Sequence, residues 1–209
     1  MKTIALISQK GGVGKTTLAI GLAVAAQKDG YSAAILDLDP QASAAFWHDT
    51  RNNETPAVVA VPASRLKHML NAARESSCTF VVIDTPPFAK DIAFEAVQHA
   101  DAVLIPTRPA VLDVMAMVKT LEMVRHYQKP AAVVLTLCPP KGREIVDTID
   151  TIRSLGADLA APHIHNRIAY SRAQQTGRSV QEFEPNGKAA YEIRQLYVYT
   201  RDHLFPAKE

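Results

Sequence analysis

The sequence predicts an α/β fold, a doubly wound and mostly parallel sheet with helices on both faces. Three observations lead there. Short apolar runs rich in β-branched residues alternate with longer stretches of helical period along the chain. Those runs are continuous rather than alternating, as strands covered on both faces must be. A glycine-rich loop joins the first run to the first helical stretch, at the carboxyl edge where such sheets carry their sites.

The elements follow in order. Residues 3–8 read as the first strand. Over 16–28, Leu18, Leu22, Ala25 and Ala26 share one face, which predicts a helix. The second strand is expected at 32–37 and a short third at 57–61. Three more, at 80–84, 102–106 and 131–137, are separated by helical stretches. Thr85-Pro86-Pro87 and Cys138-Pro139-Pro140 come directly after strands, where loops belong. A last helix is expected over 187–203, with Ile193, Leu196, Thr200 and Leu204 facing the core. Tyr191, Tyr197 and Tyr199 are expected to pack. No repeat, low-complexity tract or linker interrupts the pattern, so one domain over residues 1–209 is expected.

Composition narrows the function. At 47% hydrophobic the chain can bury a full core and is not a disordered one. Its apolar runs are too short to span a bilayer, and the start of the chain lacks the apolar stretch and cleavage site of a signal peptide. A cytoplasmic protein is expected. Cys78 and Cys138 have no Cys or His at metal spacing and read as buried thiols. A net charge of +2 does not by itself call for a nucleic-acid partner.

The strongest signal is Gln9-Lys10-Gly11-Gly12-Val13-Gly14-Lys15-Thr16-Thr17. A bound polyphosphate needs backbone N–H groups turned inward, and glycines permit both the φ angles and the close approach. A helix starting near Lys15 adds its N-terminal dipole and free amides. Lys15 is expected at the β- and γ-phosphates and the Thr16 hydroxyl on Mg²⁺. The ordinary motif would place a glycine at position 9; here Gln9 stands there, and a second lysine, Lys10, follows. Two further strand ends carry acids, Asp37-Leu38-Asp39-Pro40-Gln41 and Asp84-Thr85-Pro86-Pro87. In a parallel sheet these converge on the loop. Asp84 fits the metal-holding acid of such sites.

Lys10-Gly11-Gly12-Val13-Gly14-Lys15-Thr16-Thr17 resembles the deviant Walker A motif of the ParA/MinD ATPases, a P-loop family. The resemblance implies ATP with Mg²⁺ as ligand, held by residues 10–17, and a homodimer in which Lys10 crosses to the partner's nucleotide. It implies that Asp39 orients or activates the attacking water and that Asp37 supports Mg²⁺ or the loop. It also places Pro139 near the adenine, and the segment from Pro106 to Asp113 near the dimer face. The guanine-reading Asn-Lys-x-Asp segment is missing from the sequence, which favours ATP.

No acid lies between Asp158 and Glu182, while Arg167, Arg172 and Arg178 do; Lys188, Arg194 and Arg201 follow on the last helix. Charge alone fits either a phosphate-binding surface or a solvated helix. The stretch around Asn166-Arg167 and Gly177-Arg178 is similar to the one in ParA proteins whose basic residues contact DNA non-specifically. The resemblance thus implies a partition ATPase that works with a ParB-like or other centromere-binding adaptor, which stimulates slow hydrolysis. The alternatives are the same switch positioning a protein cargo, such as chemoreceptors, carboxysomes or a secretion complex, and a non-hydrolysing nucleotide-gated scaffold. With the loop beginning near residue 9, no N-terminal helix-turn-helix domain is expected. The end of the chain is short and broken by Pro206, so no membrane partner is expected.

Overall fold

The six apolar runs and one further short segment form parallel strands in the computed structural model, which describes residues 1–205. In chain order the elements are β1 (Lys2–Leu6), α1 (Lys15–Lys28), β2 (Ala33–Asp37), α2 (Ser43–Thr50) and β3 (Ala57–Ala60). Next come α3 (Leu66–Glu75), β4 (Phe80–Asp84), α4 (Lys90–His99), β5 (Ala102–Thr107) and α5 (Val111–His126). The chain continues through β6 (Ala131–Leu135), α6 (Arg143–Ser154), β7 (Asp158–Leu159), α7 (Ile168–Gln175), α8 (Val180–Phe183) and α9 (Lys188–Tyr199). The strand order is β3-β2-β4-β1-β5-β6-β7. The expected doubly wound parallel sheet is therefore present, with helices on both faces.

The strands alternate their side chains between two cores. Ile4 and Leu6 join Leu18, Leu22, Ile193 and Leu196 on the face covered by α1 and α9. Ala5 and Ile7 join Leu70, Val97, Leu121 and Ile152 on the face covered by α3 to α6. Because α1 is wedged between sheet and α9, Gly21 matters. A Cβ there would stand 2.8 Å from Ile193 Cγ2, so only glycine lets the two helices approach this closely.

Several sequence expectations are corrected. β6 ends at Leu135 rather than 137, because Leu137 adopts φ +51° and turns the chain aside. The short β7 was not foreseen; two residues carry too little pattern. The last helix changes to a π-helical turn over Thr200–Leu204, though Ile193, Leu196, Thr200 and Leu204 are buried as expected. Tyr197 packs on Phe80, but Tyr191 is 55% exposed and is not a packing residue. Cys138 is buried, whereas Cys78 is only half-buried; both are free thiols. Among the described residues no helix is long and apolar enough to cross a membrane. The tail from Pro206 onward, which argued against membrane binding, lies outside the described residues.

One clasp ties the two ends of the fold together. Arg51, just after α2, forms a bidentate pair with Glu182 at 2.9 and 3.3 Å and donates to the Gly177 carbonyl at 3.1 Å. Its guanidinium stacks over Trp47, whose Nε1 donates to the Arg178 carbonyl at 3.2 Å. Gly177 lies directly against the Arg51 backbone, where a Cβ would meet atoms at 2.5 Å.

Candidate functional site

The carboxyl ends of β1, β2 and β4 meet at one place on the sheet edge. Leu6 pairs with Asp84, and Asp84 with Asp37, so the loop after β1 and both acids arrive together. Gly12 and Gly14 adopt φ +68° and +85°, the left-handed region that a side chain resists. Gly14 is the N-cap of α1, so the open amides of the first turn face the loop's interior.

Lys15 is buried, and its Nζ donates back across the loop to the Lys10 carbonyl at 3.3 Å. Burial lowers its pKa, while Asp84 and Asp39 act to raise it. The Thr16 hydroxyl donates to Asp84 Oδ2 at 2.6 Å. Asp84 is fully buried and its other oxygen, Oδ1, has no partner. Burial pushes its pKa up to about 7; the Thr16 bond and Lys15 oppose this, and the charges of Asp37 and Asp39 add to it. An open carboxylate oxygen beside a hydroxyl is a hard donor pair that fits Mg²⁺. Among the described residues no cluster of three or more His, Cys, Asp or Glu forms a complete cage. Mg²⁺ that shares its ligands with phosphates does not need one.

Asp84 therefore carries a strain that can be measured without nucleotide. Its folded pKa lies above the unfolded one, so the folded state holds an extra proton between about pH 4 and pH 7 and loses stability as pH rises through that window. Asp84→Asn should flatten this dependence. At pH 8 it should stabilise the nucleotide-free protein by on the order of 1 kcal/mol, less than the full relief because Lys15 loses a counter-charge. Thermal melts from pH 5 to pH 8 check it; a variant melting lower than the parent at pH 8 contradicts it.

Asp37 uses both oxygens on backbone amides: Oδ1 accepts from Asp39 at 3.0 Å, and Oδ2 from Ala44 and Ala45 at 2.9 and 3.4 Å. Burial raises its pKa and these bonds oppose the rise. It thus anchors the loop that carries Asp39 to the start of α2. Asp39 is half-buried and lines the cleft, with Oδ1 accepting from the Gln41 amide at 3.0 Å. The side chain of Lys10 is half-buried and makes no hydrogen bond or ion pair among the described residues.

A cleft of about 740 Å³ opens over these groups, lined by residues 11–17 with Asp39, Trp47, Pro87 and Gln174. A second cavity of about 500 Å³ adjoins it and shares Gly14, Thr17, Ser171 and Gln174. Gln174 Nε2 donates to Thr17 Oγ1 at 3.0 Å at the junction. The second cavity has apolar walls from Leu18, Leu137, Ile164, Ile168 and Tyr170, with His165, Asn166 and Arg167 on its rim. A cationic, amide-lined cleft leading into a largely apolar pocket suits a nucleoside polyphosphate.

Residues 4–180 match the CobQ/CobB/MinD/ParA nucleotide-binding domain. The chain belongs to that family. Among MinD/ParA relatives it is 31% identical to a maintenance of carboxysome distribution protein A from Halothiobacillus neapolitanus, over 93% of this chain and 94% of that one. It is 33% identical to the protein of the same name from Gloeobacter kilaueensis, over 97% and 94%. Protein ParA of Rhizobium radiobacter is 26% identical over 94% of each chain. In fold it matches the MinD cell division protein of Aquifex aeolicus along the full length of both chains, with a TM-score of 0.75 at 17% identity. This membership makes it a nucleotide-binding P-loop protein of the MinD/ParA type.

The structure does not gather every expected residue of this MinD/ParA-type site. Pro139 is half-buried and lines neither cavity, because the turn at Leu137 and a bridge from Cys138 to His165 carry it away. Of the six basic residues considered for DNA, three are engaged within the chain. Arg167 pairs with Glu192, Arg201 with Asp29 and Asp202, and Arg194 donates to the Pro185 carbonyl. Arg172, Arg178 and Lys188 are exposed. Sequence reasoning missed Gln174, Ser171, Leu137 and the rim at His165 and Asn166. The stretch following Asn166 contains Ser171 and Gln174 as well, yet nothing in its spacing aims them at a pocket.

Proposed function

We propose that this chain is an ATP-driven dimerising switch that positions a protein assembly and uses DNA as its support. The observation that carries the proposal is Lys10. Its carbonyl secures Lys15 inside the loop, while its side chain, one residue before the cleft lining begins at Gly11, makes no hydrogen bond or ion pair among the described residues. A second cation supplied to another subunit's nucleotide would make dimerisation depend on ATP. The two carboxysome-distribution relatives, at 31% and 33% identity, favour a protein cargo over plasmid or chromosome partition. Partition, for which ParA at 26% identity speaks, is the second reading.

In this reading residues 10–17 bind the phosphates and the apolar pocket takes the base. Thr16 directly, and Asp84 through water, would hold Mg²⁺, whose role is to neutralise phosphate charge. Asp37 fixes the Asp39 loop, and Asp39 orients a water in line with the γ-phosphorus. As the water oxygen bonds to phosphorus, the bond to the bridging oxygen breaks, giving ADP and phosphate. An adaptor protein would accelerate this step. Arg172, Arg178 and Lys188 are the basic residues available for DNA phosphates.

Light scattering on eluting protein tests the switch. The wild type should double its mass with Mg-ATP and not with ADP, while Lys10→Ala should bind ATP and stay monomeric. A Lys10→Ala dimer equal to the wild type rejects the crossing lysine. A wild type that stays monomeric with ATP rejects the switch. Anisotropy with unrelated duplexes at low salt, and capture of the neighbouring gene's product, then separate DNA support from cargo.

A further inference from the structure

We propose that Glu192 is a positioning residue for nucleoside recognition: from α9, behind the nucleotide cleft, it fixes the wall of the apolar pocket on which the base rests. The proposal builds on the assignment of that pocket to the base. Glu192 lines neither cavity and is only 5% exposed. Its carboxylate accepts from the His165 backbone amide at 3.2 Å and faces His165 Nδ1 at 2.9 Å. It also accepts from Arg167 Nε and Nη2 at 3.0 and 2.5 Å and from the Tyr170 hydroxyl at 3.4 Å. His165, Arg167 and Tyr170 all line the pocket.

That convergence is more than one ion pair needs. The segment between β7 and α7 is held to β6 and the turn after it by backbone bonds, from Ile164 N to Leu135 O at 2.8 Å, Cys138 N to Ile164 O at 3.0 Å and Asn166 N to Cys138 O at 3.0 Å, but these stop at Asn166. They set the backbone as far as Asn166, while the side chains of His165, Arg167 and Tyr170 need a partner of their own to stand in one arrangement. One buried carboxylate gathering three pocket residues is that partner. It also balances Arg167, so the pocket offers an uncharged base a wall without an unpaired cation beside it. The groups that would hold phosphate and metal, the loop after β1, Thr16 with Asp84, and Asp39, are fixed by hydrogen bonds in which Glu192 takes no part.

Calorimetric titration of Glu192→Gln and Glu192→Asp with Mg-ATP and with magnesium tripolyphosphate, which has no base or sugar, tests this. Melting of each nucleotide-free variant establishes that it is folded, and the aspartate keeps the charge if the amide proves too disruptive. The wild type should prefer ATP. In Glu192→Gln the ATP affinity should fall by about tenfold while tripolyphosphate affinity changes by no more than about twofold. Glu192→Asp should lie between. Equal losses for both ligands, or no loss for either, make Glu192 a merely structural residue and overturn the inference. A wild type that binds both ligands equally would instead remove the base-pocket assignment, and the inference with it.

Discussion

Lys15→Ala lowers ATP affinity by at least about 100-fold, the largest effect expected of any single change in this chain. Lys15 is buried among the groups that would bind phosphate, and its charge offsets those of Asp84 and Asp39 nearby. Without it, Asp39 at the cleft and Asp84 beneath it act on an incoming triphosphate with no cation to offset them. That repulsion adds to the lost contacts with the phosphates. Trp47, the sole tryptophan, lines the same cleft, so its fluorescence gives a direct titration. Circular dichroism would show the variant folded. ATP affinity within a few-fold of the wild type would mean that the loop amides alone hold the phosphates.

Asp39→Ala has the second largest effect and an opposite profile. Turnover falls by about 100-fold, the size expected for removing a group that orients or activates water. ATP binding stays within about threefold, because removing a negative charge from the cleft does not cost phosphate affinity. Asp39 is suited to this by how it is held. Its amide is tied to Asp37, and its carboxylate stands at the cleft rather than in the sheet. Phosphate release under single-turnover conditions separates the two quantities. Unchanged turnover would assign the water to another group, and lost binding would make Asp39 a binding residue.

How legible all this was depends on the range of the interactions. The sheet, the glycine loop and the acids at strand ends are written locally, in apolar runs and in residues adjacent to them. Their register then follows, because parallel strands with buried faces must bring Asp37, Asp84 and the loop to one edge. Pro139, expected near the base, lines neither cavity because of a left-handed turn at Leu137, a residue type that gives no warning of one. Glu192 and Gln174 were invisible for another reason. Each acts on a partner far away in sequence, Gln174 on Thr17 and Glu192 on His165, and no spacing rule reports such pairs. Charge patterning overstated the basic surface, since Arg167, Arg194 and Arg201 find partners within the chain.

The clasp between Arg51 and Glu182 spans 131 positions of sequence, and the bond between Thr17 and Gln174 spans 157. A nascent chain therefore displays its glycine loop long before the residues that finish the cavity have been synthesised. The early strands can pair as they emerge, since β1, β2 and β4 all lie in the first half of the chain. The cavity over them cannot close until α7 and α8 have been made. Closing contacts so distant makes completion late and slow compared with the local elements. A half-made chain thus has the loop without the pocket, and a nucleotide meets a complete site only after the second half has been made.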